Sequence, residues 1–317
     1  MAALASSFNS TNVRNAIAFN WARIALAVTS AVAPKRAVER AARLFATPPR
    51  HPHTAREVEL LRTGRGFVVP LGLRRLAAWR FGPVDAPAVV FSHGWGGRGA
   101  QFRVFVASLV EAGYQVVLFD HEGHGHSEGE EASLVHFWKG LEAIISHLER
   151  EGTTVKGLVG HSLGAAAIAA YLNASGRDIR AVLIAPPTSV ERYAGYFARK
   201  LGLRESIRRA MQENLEARLG RRWQEFELPG SVASIVAPAL VIHDHDDREV
   251  PFASGVALGR AWRGARMVRT RGLGHRAIVR DPGVVQDTLD FIADRTAFPR
   301  PLDAGEVFAY RAPSPIL

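Results

Sequence analysis

Cysteine is missing from all 317 residues. That excludes a disulfide framework, a thiolate metal site and a cysteine nucleophile. Long apolar runs are missing as well. The longest, Ile24 to Pro34, has 11 residues, about half of what a membrane-spanning helix needs. Acidic residues are scarce at the N-terminus. Residues 1–50 hold seven Lys and Arg against Glu39 alone, so +6 of the chain's +10 sits there. The other 267 residues carry 33 basic and 29 acidic groups. So nearly balanced a body, with no basic module interleaved with aromatics, gives no reason to expect a nucleic-acid partner. What is present is an ordinary globular composition, 47% hydrophobic and 22% charged. It excludes a disordered tail protein.

Residues 11–50 read as one or two helices. Val13, Ile17, Trp21, Ile24 and Val28 recur every three or four positions. From Lys35 to Arg43 charges alternate with Val38, Ala41 and Ala42 in an amphipathic helical period. Thr47-Pro48-Pro49 stops it. Three readings of this arm (residues 1–56) stand side by side. It packs as a helical arm on the body; or it lies on a membrane surface through residues 11–47, with Trp21 and Phe8 on its apolar face; or it is a secretory leader cut near Ala31-Val32-Ala33. A cytoplasmic protein, with or without peripheral membrane contact, is expected ahead of a secreted one.

Residues 57–317 read as alternating strand and helix. Short strand-like runs come first, Val58–Leu61 and Arg75–Trp79. Continuous apolar strands follow at Val89–Phe91, Gln115–Phe119, Val155–Val159, Ala181–Ala185 and Ala239–His243, with Arg266–Arg269 as the last. Helical periods lie between them at Gln101–Glu111, Leu134–Leu148 and Ala165–Leu172, and Val284–Ile292 closes the chain. Unbroken apolar strands alternating with amphipathic helices imply an α/β fold, a mostly parallel central sheet with helices on both faces. Reactive groups in such sheets gather at the carboxyl ends of the strands. An insertion at about 188–236 interrupts the alternation with two Arg-rich helices, Val190–Leu201 and Glu205–Trp223, and reads as a small helical cap.

The strongest motif is Gly160-His161-Ser162-Leu163-Gly164, between a predicted strand and a predicted helix. A sharp turn there exposes the Ser162 hydroxyl at a helix N-terminus, where partial positive charge favours a developing oxyanion. With this motif in this setting, the chain resembles the α/β-hydrolase family, serine esterases and lipases among them, over about residues 57–297. The resemblance implies that Ser162 is the nucleophile. It implies that His93-Gly94-Trp95-Gly96-Gly97 is the oxyanion turn, with the Trp95 and Leu163 amides as donors. It places the general base in Gly272-Leu273-Gly274-His275-Arg276, at His275. The acid falls in the loop after Ala239–His243. The family sets its Asp four residues before a Pro, here Pro251, which selects Asp247 with Asp246 as the rival. The family's usual Gly at position 244 is Asp in this chain.

Two histidine groups raise a metal hypothesis: His121, His124 and His126, and His243-x-His245-x-Asp247. A metal-hydrolase pattern would continue with His where Arg248 stands. The 120–127 run resembles the α/β-hydrolase turn after the fourth strand. Neither a metal nor another cofactor is expected. The implied activity is hydrolysis of a small-molecule ester or other acyl substrate through a Ser-His-Asp triad and an acyl-enzyme. A Ser nucleophile argues against the family's dehalogenases and epoxide hydrolases, which use Asp. His93, Gly94, His161, Tyr193 and Tyr196 are candidates for the substrate pocket. Thioesterase, amidase and acyltransferase chemistry stay open, as do a low-turnover receptor and a membrane-surface scaffold.

Overall fold

The structure is a computed structural model that describes residues 23–228, 230–295 and 309–310. Helix α1 covers residues 23–32 and α2 covers Pro34–Ala46, with Pro34 at a first helical position, where its missing N–H costs nothing. Phe8, Val13, Ile17 and Trp21 of the expected arm lie outside the described residues. Next come α3 (Ala55–Thr63), β1 (Arg65–Leu71), β2 (Arg74–Phe81), β3 (Ala88–Ser92), α4 (Arg103–Glu111), β4 (Gln115–Phe119), α5 (Leu134–Arg150), β5 (Val155–His161), α6 (Leu163–Ser175) and β6 (Arg180–Ile184). The insertion contributes α7 (Val190–Leu201) and α8 (Glu205–Leu219). The chain continues with β7 (Ala239–Asp244), α9 (Phe252–Ala261), β8 (Arg266–Thr270), α10 (Gly274–Ala277), α11 (Pro282–Ile292) and β9 (Ala309–Tyr310).

Two expectations change. Val58–Leu61 is not a strand but the middle of α3. Thr54 and Glu57 form a reciprocal capping box: Glu57 Oε2 accepts from the Thr54 N–H at 2.7 Å and Thr54 Oγ1 accepts from the Glu57 N–H at 3.4 Å. That starts a helix, whereas a four-residue apolar run has no readable period. Nor is β8 the last strand, because β9 pairs parallel to it through Val268 with Ala309 and Arg269 with Tyr310.

The nine strands run in the order β1-β2-β4-β3-β5-β6-β7-β8-β9. The β1–β2 and β2–β4 pairs are antiparallel and all others parallel. Every residue of β3, β4 and β7 is buried, as expected for strands covered on both faces. Edge strand β1 buries only Val69. From β3 the chain moves outward to β4 on one side, then returns past β3 to β5 on the other. The winding therefore reverses at β3, and a crevice opens beyond the carboxyl ends of β3 and β5. His93-Gly94-Trp95 follows β3, and Ser162 follows β5.

The chain divides into two compact units. One holds the sheet and its covering helices; its core includes Phe91, Phe102 and Phe105, whose ring centroids lie 5.0–5.9 Å apart. The other joins residues 23–46 to 190–223. Its core gathers Leu26, Ala41, Ala42, Ala194, Leu201, Met211, Leu215 and Trp223. Phe45 stacks on Trp223 at 5.7 Å and meets the edge of Phe197 at 5.1 Å. The small residues Ala41, Ala42 and Ala46 on one face of α2 let α8 approach closely. No helix among the described residues is long and apolar enough to cross a membrane.

Candidate active site

The turn from β5 to α6 places Ser162 at φ 52° and ψ −123°. A non-glycine residue at positive φ costs roughly 1–3 kcal/mol and persists only where its surroundings hold it. Here the Ser162 N–H donates to the Ile184 carbonyl at 2.9 Å, and its own carbonyl accepts from the Ala165 and Ala166 N–H groups at 2.9 and 3.2 Å. Gly164 is required for space: a Cβ there would stand 2.1 Å from the Ser92 carbonyl oxygen. Leu163 is the first residue of α6, so its N–H has no partner within the helix.

The loop after β7 carries both candidate acids. Asp247 Oδ2 lies 2.7 Å from His275 Nδ1, and both side chains are nearly inaccessible. Asp247 Oδ1 accepts from the Glu249 and Val250 N–H groups, each at 2.8 Å. Burial pushes the Asp247 carboxyl pKa up, but hydrogen bonds from His243 and His275 outweigh it and hold the pKa below the ordinary carboxylate range. With Nδ1–H committed to Asp247, a neutral His275 keeps its lone pair on Nε2. Asp246 turns elsewhere: its carboxylate meets His245 at 3.2 Å and the Gly272 N–H at 3.1 Å. The geometry thus separates the two candidate acids in favour of Asp247 as the partner of His275.

Three supporting residues were not foreseen in these roles. His243 Nε2 lies 3.1 Å from the Val250 carbonyl and 3.4 Å from Asp247 Oδ2, backing the Asp247 carboxylate. Fully buried Asp244 occupies the family's glycine position and binds two strands' ends together. Its Oδ2 accepts from Thr270 Oγ1 at 2.7 Å and from the Leu273 N–H at 3.1 Å, while Oδ1 accepts from the Asp246 N–H at 2.9 Å. His161 donates from Nε2 to the His275 carbonyl at 2.8 Å. Burial, and then the closeness of His275, drop the His161 pKa to about 3, so the ring is neutral. Among the described residues, no hydrogen bond joins Ser162 Oγ to His275. Such bonds commonly tighten only when substrate is present.

The turn after β3 is closed by the Gly97 N–H donating to the Gly94 carbonyl at 2.9 Å, which leaves the Trp95 N–H outside the turn's own bond. A Cβ on Gly94 would lie 2.9 Å from Ser162 Cβ, so the turn passes directly beside the serine. Fully buried His93 supports this turn with both ring nitrogens: Nδ1–H donates to the Gly94 carbonyl at 2.8 Å and Nε2 accepts from the His121 N–H at 2.9 Å. Burial lowers its pKa to about 4. His124 does the same one layer further out, accepting from the Gly96 N–H at 3.0 Å and donating to the Glu122 carbonyl at 2.9 Å. His121 is fully buried with Nε2 on Ser92 Oγ at 2.8 Å. His93, His121 and His124 therefore act as neutral braces. Of the remaining pocket candidates, Tyr193 and Tyr196 lie on α7 in the other unit, 45% and 51% exposed.

A family model described as "Serine aminopeptidase, S33" matches residues 85–225. A non-heme chloroperoxidase of Burkholderia pyrrocinia is 25% identical over 222 residues, covering 55% of this chain and 79% of the relative. A bifunctional esterase/perhydrolase of Acinetobacter calcoaceticus is 31% identical over 119 residues, 35% of this chain and 41% of the relative. Among solved structures, Est1E of Butyrivibrio proteoclasticus, bound to ferulic acid, superposes with a TM-score of 0.56 at 17% identity, covering 72% of this chain and 99% of that one. The winding order, the strained serine turn and these likenesses agree: the chain has the α/β-hydrolase fold.

Proposed function

We propose that the protein is a serine hydrolase that cleaves carboxylic esters through Ser162, His275 and Asp247. The observation that carries this reading is the 2.7 Å contact between His275 Nδ1 and Asp247 Oδ2, on loops that flank the crevice holding a strained Ser162. Ser162 Oγ attacks the acyl carbonyl. His275 Nε2 takes its proton and returns it to the leaving alcohol. Asp247 fixes the imidazole tautomer and stabilises the imidazolium without taking up a proton itself. The N–H groups of Trp95 and Leu163 receive the oxyanion; one such donor is typically worth about 10²–10³ in rate. Water then attacks the acyl-enzyme carbonyl and frees Ser162. The test is a series of acyl chain lengths carrying ester, thioester and amide leaving groups. Ester turnover ahead of the other two is expected. A preference for thioester, or transfer to an added alcohol in place of water, moves the assignment to a thioesterase or an acyltransferase. Hydrogen peroxide belongs in the same assay as an acceptor, because the Acinetobacter relative carries perhydrolase in its name.

We also infer peripheral membrane contact through the N-terminal helices. Ile24, Val28 and Val32 form a stripe on α1 at one-turn spacing, 55%, 59% and 77% exposed, and Arg23, Lys35, Arg36, Arg40 and Arg43 are exposed around and beyond it. An apolar stripe with basic flanks suits an anionic bilayer surface. Sedimentation with anionic liposomes is expected to carry the full chain down and to leave a variant with Ile24, Val28 and Val32 changed to Ser in solution. Equal sedimentation of both would remove the stripe as the anchor.

A further inference from the structure

We propose that His53, Asp120 and His126 form a structural site for a divalent transition-metal ion, best fitted by Zn²⁺, clamping the segment before α3 to the loop after β4. One ligand atom from each residue lies within 4.8 Å of the other two. Two imidazoles and a carboxylate are a donor set that Zn²⁺ takes readily. None of the three has a part in the chemistry assigned to Ser162, His275 and Asp247.

The carboxylate is already fixed in place. Asp120 has no exposed surface, and its Oδ1 and Oδ2 accept from the Gly99 and His126 N–H groups at 2.7 and 2.8 Å. Each oxygen has a further lone pair to offer. The two rings lie beside it tilted by 31°, with centroids 4.4 Å apart. His53 Nε2 is buried and has no hydrogen-bond partner among the described residues, an arrangement proteins rarely leave unmet. His126 Nδ1 is 3.6 Å from Asp120 Oδ2, beyond hydrogen-bond range. Its side chain is 54% exposed and has room to turn. Metal–ligand bonds of about 2.0–2.2 Å need ligand atoms roughly 3.3–3.5 Å apart, so His126 Nδ1, at 3.6 Å from Asp120 Oδ2, has only a small distance to close. His124 is excluded as a fourth ligand because both of its ring nitrogens are committed. Arg98, whose charge bears on His53, is held by Glu57 at 2.6 Å.

The surroundings say what such an ion would do. Arg50 already donates to the carbonyls of Gly125, Ser127 and Gly129 at 3.2, 3.1 and 2.7 Å. A metal on His53 would be a second tie between the same two segments, and the tied loop supplies the His124 acceptor for the Gly96 N–H in the turn beside Ser162. Occupancy is therefore read as stability first.

The test adds Zn²⁺ alone to EDTA-treated, then dialysed, full-length protein and follows calorimetric binding and thermal unfolding. One ion per chain is expected, with an unfolding temperature that rises with added Zn²⁺. His53→Gln and His126→Gln should each weaken binding roughly tenfold or more, and His51→Gln, an exposed neighbour, should bind as the wild type does. Co²⁺ should give a visible absorption band in the wild type that both ligand variants lose. Unfolding in EDTA shows that the variants fold; if His53→Gln does not, the half-exposed His126→Gln carries the test. Absence of saturable binding, or wild-type affinity in His126→Gln, overturns the proposal.

Discussion

His161 donates its Nε2 proton to the main-chain carbonyl of His275 at 2.8 Å. The residue immediately before the serine thereby fixes the backbone of the proposed base, and the ring centroids of the two histidines stand 4.7 Å apart. The end of β5 and the His275 segment are thus tied by a bond outside the proposed proton transfer. His161→Ala should lower kcat roughly 10- to 100-fold with little change in KM, since misplacement of a catalytic group by about 1 Å has effects of that size. His161→Gln, which keeps an N–H donor, should recover most of the loss. Equal loss in both variants would mean that the ring, and not its hydrogen bond, matters.

The two adjacent carboxylates make a sharp comparison. Asp247 contacts His275 at 2.7 Å, whereas Asp246 contacts the Gly272 N–H at 3.1 Å. Asp247→Asn should cost about 10⁴ in kcat through the wrong imidazole tautomer. Asp246→Asn should stay within about tenfold, because only the outer hold on the 271–274 loop is weakened. Steady-state kinetics on a single ester decides between them, and the reverse ranking would move the acid by one residue.

Asp244 is a structural prop where the family has glycine. Its four-atom reach joins the end of β7 to Thr270 and Leu273, just ahead of His275. Asp244→Gly should destabilise the fold by about 1–3 kcal/mol per buried partner left unpaired, seen as a lower urea midpoint. An unchanged midpoint would show that the family's glycine is equally compatible with these strands.

Much of this arrangement was legible in the chain itself, and the reasons differ from residue to residue. Strands β4 and β7 announce themselves because buried parallel strands need unbroken apolar runs. Ser162 is readable because a strained turn demands small residues at fixed offsets; a Cβ at Gly164 would stand 2.1 Å from the Ser92 carbonyl oxygen. Helix α3 was missed because four residues carry no period, although Thr54 and Glu57 spelled out its capping box. The roles of Asp244, His161 and His243 could not be read locally. Each depends on a partner brought close by the sheet, such as Thr270, 26 positions away from Asp244. His53 is of the same kind: it reaches Asp120 and His126 of the 120–127 run from a distant segment.

Buried neutral histidines set the acid limit of the fold. His93 and His161 have pKa values lowered to about 4 and about 3, burial being the main cause in each. Unfolded histidines take up a proton below about pH 6.5. Between that pH and the folded values the unfolded state holds more protons, so stability is full above about pH 6.5 and falls as pH falls. Each ring should contribute a slope approaching about 1.4 kcal/mol per pH unit. Urea midpoints from pH 7.5 to 4.5 measure it, and His161→Gln should flatten the curve. A midpoint that stays constant down to pH 5 would contradict the assignment of neutral, buried rings.

The most direct measurement concerns Ser162 alone. Purified wild-type protein should hydrolyse p-nitrophenyl acetate and take up one fluorophosphonate label. Ser162→Ala should lose the label and fall by about 10⁴ or more in kcat/KM, with an unchanged circular dichroism spectrum. Hydrolysis at the wild-type rate by that variant would place the nucleophile elsewhere.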